Sequence, residues 1–495
     1  MSRARALSGL TAAVGLLAVV ASGCAKQRDQ WLVSIYTSAN VPEIGDRLRI
    51  DVLDDAGKPA CFDCVYLIPV TAQSFPVTFG VEPSALFGSG EPPRIRVRLF
   101  RARIMGADGL PRSAALIDQT GKLQSFSSSP LKPPLDLPEL YKHTANVILD
   151  SSCFGIAPDV ANKLTCSFES VVRTKVPSAE AYFKPEPELT GGDLSDAAIF
   201  RPGGANVFLE GPCTEPIPDE MVCHRGAELI VGDELTAGVE SDFPHRPEVL
   251  RVTVAYGLDR DEVTVGVVRS LVRKGAIVPD STSLVRRGTD PETSACAWLG
   301  ASDARSDDLP MNCISHALAD EVCAALGKRL PTEVEWEQAA RTARGAPYPW
   351  GAEPPTCDRA VLGRGRAPGE GGGPVESLAC RDKWPAGPVA GGAEGDVTAL
   401  GIKNLAGNLS EWVADRYQDY TESCWTQPFT SVAALDPCLL PTKTLRLAGY
   451  SVRGGSYARG LSAAAGFARF ASRDGAPSPE IGFRCAKNGI PESAR

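Results

Sequence analysis

Fifteen cysteines and four histidines are the side chains of this 495-residue chain best suited to redox or metal chemistry. The histidines, His143, His224, His245 and His316, are scattered, and no two stand one helical turn apart as a His-x-x-x-His metal pair requires. His245 lies in a His-Arg-Pro context and reads as a surface or hydrogen-bonded residue. Cys61-Phe62-Asp63-Cys64 is a lone CxxC with no second CxxC and no histidine pair at zinc spacing, so structural zinc is not expected. The cysteines fall instead into close successive pairs: Cys61 with Cys64, Cys153 with Cys166, Cys213 with Cys223, Cys296 with Cys313, Cys357 with Cys380, and Cys424 with Cys438. Cys24, Cys323 and Cys485 remain. Setting Cys24 aside leaves fourteen, an even set of the kind an oxidising compartment favours, and we read them as seven disulfides. Neighbour pairing needs no crossing loops and would stabilise loop-rich regions by ~2–4 kcal/mol per bridge, although spacing alone leaves connectivity open.

Cys24 has a different reading. Arg3 and Arg5 precede an uncharged apolar run from Leu7 to Val20, which ends in Ala21-Ser22-Gly23-Cys24. The run is too short to span a bilayer comfortably and is read as a secretory signal. Its small residues before a cysteine resemble the lipobox of bacterial lipoproteins, with Ala21 where leucine is commoner. The expectation is a signal peptide over 1–23, lipidation at Cys24, and a tether over 24–29. The chain would then be an exported cell-envelope lipoprotein, facing the periplasm or on the cell surface, and held to a membrane by its lipid. The alternative is an ordinary cleaved signal with a leftover cysteine. A formal charge of -9, with no outstanding cluster of Lys and Arg, argues against nucleic acid as a partner.

The length allows two or three domains, and texture favours two. Over 30–176, short β-prone runs alternate with turn signals. They include Trp31–Tyr36, then Leu48–Val52 before a turn at Asp54–Gly57, then Ile95–Phe100 and Ala145–Leu149. This spacing predicts a small antiparallel, all-β sandwich-like domain with no catalytic constellation. Residues 177–205, with Phe183-Lys184-Pro185-Glu186-Pro187-Glu188, Gly191-Gly192 and Pro202-Gly203-Gly204, read as a linker. A Gly-rich insert over Gly363–Gly373 is expected to loop out of the second domain, which runs over 206–488 before a short tail at 489–495. In that domain the segment Leu258–Val265 leads into a helix. Ser315 is placed to cap a second helix ending near Gly327, and Thr332 with Glu335 has capping-box spacing for a third.

Five segments of this half occur in a telling order: GKRLPTEVEWEQAAR, YPWG, NLAGNLSEWVAD, VRGGSY and GFRCA. Together they resemble the formylglycine-generating enzyme, or sulfatase-modifying factor, domain family, over roughly Asn206–Lys487. The resemblance implies an α+β, irregular, C-type-lectin-like fold at the C-terminus. It also implies a bridge between Cys323 and Cys485, which completes the cysteine count. The family's enzymes hold Cu(I) on two soft thiolates after the GGSY-like motif and use dioxygen to convert a sulfatase cysteine to formylglycine. Here those two positions match Arg459 and Ala464, and Ala458–Ala471 contains no cysteine, so no copper is expected. A second family bridge has its ends on Ala340 and on or near Arg469, and both are lost together. Iron-dependent relatives use three histidines, which this chain does not offer in a recognisable pattern.

One ion motif is retained. The resemblance implies structural calcium on Asn404, Gly407, Leu409 and Glu411, where a glycine turn converges hard oxygen donors. The competing reading has Asn404 capping a turn and Glu411 starting a helix that ends near Asp415. Ser456, Tyr457, Arg459 and Arg469 match the stretch that forms the family's substrate cleft. Arg459 could meet a carboxylate there, or these arginines could be solvated surface charges. The function expected is a non-catalytic envelope domain that binds a peptide, exported protein or glycan. The alternative is a formylglycine-generating or related metal-dependent oxygenase with unrecognised ligands.

Overall fold

Alternation along the first strands sets one face inward. Leu48, Ile50 and Val52 of one strand, and Ile95, Val97 and Leu99 of its partner, are all buried, while the residues between them face the other way. The computed structural model describes residues 28–39, 41–42, 44–54, 56–61, 64–81, 94–101, 115–123, 141–150, 153, 158–166, 184–185, 188–189, 212–232, 249–341, 346–365, 380–418, 420, 425, 449–472 and 474–489. The signal, Cys24 and the tether to 27 lie outside the described residues, as do Cys424, Cys438, 366–373 of the Gly-rich insert and the tail after 489.

In the N-terminal part, β1 (Arg28–Thr37) lies between β4 (Val77–Val81) and β7 (Tyr141–Leu149). A five-stranded sheet runs in the order β10 (Glu188–Leu189), β6 (Ile117–Leu123), β5 (Arg94–Phe100), β2 (Arg47–Leu53) and β3 (Val65–Pro69). Trp31, Val33 and Ile35 from the first sheet pack into one core with Leu48, Ile50, Val97 and Leu99 from the second, which makes a β-sandwich. It is mixed and not wholly antiparallel, because β1 pairs with β7, and β6 with β10, in parallel. The linker reading of 177–205 also needs correction. Within it, β9 (Lys184–Pro185) pairs with β8 (Leu164–Thr165) in a sheet of two short strands, and Glu188–Leu189 extends the five-stranded sheet, so these four residues are strand and not linker.

The C-terminal part carries short helices among small sheets. β11 (Met221–His224), β14 (Tyr256–Asp259) and β19 (Ala486–Asn488) form one sheet, and β12 (Ala227–Val231) pairs with β13 (Val249–Thr253). The four-stranded sheet has the order β17 (Arg469–Ser472), β16 (Tyr450–Arg453), β15 (Ser410–Arg416) and β18 (Ile481–Gly482). α1 (Val265–Arg273) buries Val265, Val268 and Leu271, one stripe at helical spacing. After α2 (Pro291–Ser294), α3 (His316–Ala325) begins where the Ser315 hydroxyl accepts the Leu318 amide at 3.2 Å, and it is followed by Gly327 at φ +70°. α4 (Glu333–Ala340) opens with the reciprocal bonds of a capping box: Glu335 N donates to Thr332 Oγ1 at 3.2 Å, and Thr332 N to Glu335 Oε2 at 2.9 Å.

Six disulfides join Cys61–Cys64, Cys153–Cys166, Cys213–Cys223, Cys296–Cys313, Cys323–Cys485 and Cys357–Cys380. Bridges in this number belong to an oxidising compartment. No helix among the described residues is long and apolar enough to cross a membrane.

Candidate functional site

The loop after β16 runs through close backbone contacts. A side chain on Gly455 would meet Ala406 O at 2.3 Å, and Gly454 adopts φ +77° against Leu405 O, so this glycine pair fits where larger residues would not. The loop then presses its side chains inward. Ser456 is fully buried, with a hydroxyl that has no hydrogen-bond partner. Tyr457 donates its amide to Asn408 O at 2.9 Å and packs with Val361, Leu409 and Ala458. Arg459 lays its guanidinium over the Phe470 ring at 3.7 Å and stands 3.7 Å from Glu480. Ala464 is sealed in an apolar cluster with Ala360, Leu362 and Ala406, against Leu461, Tyr348 and Trp350. A cation on an aromatic face and a methyl in an apolar pocket offer no soft donor, so this pair of positions does not fit Cu(I). Twelve cysteines are committed to the six bridges, and no thiol remains free among the described residues.

Arg469 does not belong to an open cleft. Only 1% exposed, it donates from Nε to Glu333 Oε1 at 2.5 Å and from Nη2 to Glu333 Oε2 at 2.9 Å. Its guanidinium sits 4.6, 4.0 and 5.3 Å from the rings of Tyr417, Tyr420 and Trp425. Burial disfavours this cation, but the Glu333 carboxylate outweighs burial and holds its pKa above the ordinary value. The solvated-charge reading of Arg469 is therefore overturned as well. Where the family resemblance put one end of a disulfide, the chain has an ion pair enclosed by aromatic rings.

This pair is part of a hub built by α4. Arg453 reaches Glu333 Oε1 at 3.2 Å and Glu337 Oε2 at 2.5 Å. Arg341 reaches Glu337 Oε1 at 2.8 Å, and Trp336 Nε1 donates to Glu411 Oε2 at 2.7 Å. Glu335 pairs with Arg329 at 2.6 Å, so three buried glutamates at alternate positions of one helix each meet arginine. The sequence reading missed this hub, and the signal available was the run of Glu333, Glu335 and Glu337 in a segment otherwise rich in core residues.

Glu411 is spent in the same way. Arg484 Nε donates to Glu411 Oε1 and Oε2 at 3.0 and 2.8 Å, and its Nη2 to Oε1 at 2.7 Å. Asn404 Oδ1 is buried without a partner, but its Nδ2 donates to Glu262 Oε2 at 3.0 Å; Asn408 donates to the same oxygen at 2.7 Å. Leu409 gives its amide to Glu262 Oε1 at 3.1 Å, while Gly407 packs against the Val361 backbone. Calcium needs ~6–8 oxygens, and here the carboxylate meant to anchor it already faces a guanidinium. Of the expected set Asn404, Gly407, Leu409 and Glu411, the Glu411 carboxylate is thus already paired in this arrangement, while Asn404 Oδ1 stands without a partner among the described residues. The helix reading fails, because Ser410–Arg416 is strand β15 and is paired on both sides. Glu262 was not singled out from sequence; burial and the nearby Glu411 push its carboxyl up to about 8.

Residues 211–489, more than half of the chain, match the model of the Sulfatase-modifying factor enzyme 1-like domain. The chain belongs to this family. The chain is 26% identical over 329 residues to the formylglycine-generating enzyme of Streptomyces coelicolor, covering 59% of this chain and 96% of that enzyme. The formylglycine-generating enzyme of Thermomonospora curvata is 33% identical over 174 residues, which are 32% of this chain and 49% of that enzyme. The inactive C-alpha-formylglycine-generating enzyme 2 of Bos taurus is 32% identical over 120 residues, 22% of this chain and 34% of that protein. The chain thus spans nearly all of the first relative and half or less of the other two. The solved structure of PvdO from Pseudomonas aeruginosa aligns with 56% of this chain and 99% of its own, at 19% identity and a TM-score of 0.38.

Elsewhere in the sulfatase-modifying factor domain, a hollow of about 350 Å³ opens at the end of α1, lined by Val272, Ile277, Pro279, Asp280, Leu284 and Trp298 among others. The two histidines whose side chains are described do not converge. His316 Nε2 lies 2.8 Å from Val413 O and stacks on Tyr450, whereas His224 is buried against the Tyr256 ring; His245 and the side chain of His143 lie outside the described residues. Burial holds the His224 imidazole down at about 4, well below the ordinary 6.5. Below pH 6.5 the unfolded chain takes up a proton that the folded chain refuses, so stability present above that pH is lost progressively toward pH 4. The loss should total about 3 kcal/mol. His224→Gln is expected to flatten this acid slope in urea unfolding at pH 4.5 and 7; an unchanged slope would assign it to other groups.

Proposed function

We propose that this chain is an exported, lipid-anchored envelope protein whose sulfatase-modifying factor domain binds a peptide, exported protein or glycan and catalyses no oxidation. The observation that carries the reading is the filling of the two thiolate positions, Arg459 by cation–π packing on Phe470 and Ala464 by an apolar seal. The signal-like N-terminus with Cys24, the disulfides, and similarity to relatives named as inactive support it. Of the residues first assigned to a cleft, Arg459 is half-buried while Ser456, Tyr457 and Arg469 are buried, so the hollow beside Trp298 is the better place to seek a ligand in this domain.

The test is direct. Purified protein, loaded with Cu(I) under reducing and then aerobic conditions, is given a sulfatase-derived peptide containing the CxPxR cysteine, and oxygen uptake and peptide mass are followed. No turnover and no stoichiometric copper are expected. Conversion of the peptide cysteine to formylglycine would establish an enzyme with an unrecognised ligand set and overturn the binding reading.

A further inference from the structure

The sandwich carries a feature of its own. Because the residues between Leu48, Ile50 and Val52 on β2, and between Ile95, Val97 and Leu99 on β5, point away from the core, the five-stranded sheet gathers charged side chains on its outer face. Arg49 stands opposite Arg98, Asp51 opposite Arg96, and Arg98 opposite Asp118. Among these five side chains, three guanidiniums share two carboxylates, in a chain whose formal charge is -9.

The donors are unevenly used. Arg49 places Nε and Nη2 on Asp51 Oδ1 at 3.1 and 3.0 Å, Arg96 places Nε and Nη2 on Asp118 at 2.8 and 2.6 Å, and Arg98 places Nη2 on Asp51 Oδ2. Among the described residues, Nη1 of all three takes no acceptor, and Arg98 Nε is buried without one. Each guanidinium carries five N–H donors, so acceptors are short by several bonds, and a buried charged donor without an acceptor is costly. The arginine side chains retain 21, 24 and 16% exposure for Arg49, Arg96 and Arg98, so a small ligand can reach them, while Asp51, 1% exposed, holds Arg49 and Arg98, and Asp118 holds Arg96.

We propose that this face binds an oxyanion of the phosphate or sulfate class across Arg49, Arg96 and Arg98. Such a group offers several lone pairs to forked donors, and it would give acceptors to the guanidinium N–H groups that the two carboxylates leave over. The site lies outside the sulfatase-modifying factor domain and stands or falls apart from the reading of that domain.

The experiment measures binding to the full chain by calorimetry, with inorganic phosphate and with polyphosphate at equal total phosphate, each against sodium chloride at matched ionic strength. Saturable binding beyond the chloride control is expected. It should weaken about tenfold in Arg49→Gln, which leaves Asp51 paired with Arg98, and less in Arg49→Lys, which keeps the charge without the fork. Tighter binding of polyphosphate per phosphate would identify a polymeric source, and equal binding a small anion. If neither anion binds beyond chloride, or if Arg49→Gln, folded with an unchanged unfolding midpoint, binds as tightly as the parent, the proposal is wrong.

Discussion

Arg469→Ala is expected to destabilise the C-terminal domain by about 3–5 kcal/mol, because it strands the Glu333 carboxylate in an interior from which water is excluded. Glu333 is fully buried, and its other arginine, Arg453, is already shared with Glu337, so no spare cation can take over. Arg459→Ala, whose guanidinium is partly exposed over Phe470, is expected to cost about 1 kcal/mol. Urea unfolding of the two variants measures the contrast. Equal midpoints would mean that the α4 hub does not bear on stability. A binding assay that uses Arg469→Ala as a cleft variant would report unfolding and not recognition.

The second large effect concerns Cys323–Cys485. The bridge closes 162 residues, whereas Cys357–Cys380 closes 23. In the chain-entropy picture the longer loop is worth about 5 kcal/mol and the shorter about 3 kcal/mol. The long bridge also ties α3 to the segment leading into β19, across the core that holds Trp412 and Phe483. Replacing both cysteines of the long bridge by serine is expected to lower the unfolding free energy by clearly more than the same change at Cys357 and Cys380. Matching losses would show that local packing, not loop length, governs the crosslinks.

Much of the frame was legible in the sequence because its signals are local. Alternation in Leu48–Val52 and Ile95–Phe100 fixed strands, and Ser315 with Gly327, and Thr332 with Glu335, fixed helix ends, since a cap or a pleat is settled within a few residues. β6 escaped because its run Ile-Asp-Gln-Thr-Gly-Lys-Leu has polar and glycine residues on both faces, and its place in the sheet comes from its partner β5. The candidate site was legible only as chemistry that is missing. That no thiol stands at 459 and 464 is a matter of residue type, whereas the fate of Arg469, Arg484 and Glu411 depends on partners 73 to 136 residues away. The arginine face was hidden for the same reason. Its members alternate with apolar residues on two strands 47 residues apart, so no run of basic residues marks it.

The parallel pairing of β1 with β7 has a consequence for how the chain reaches this state. Thr37 donates its hydroxyl to Leu149 O, 112 residues later, so during vectorial synthesis β1 emerges well before the second flank of the sheet whose middle it occupies. Until then Trp31, Val33 and Ile35 form an apolar ribbon with one bare edge, the kind of segment that holdase chaperones cover and that aggregates when they do not.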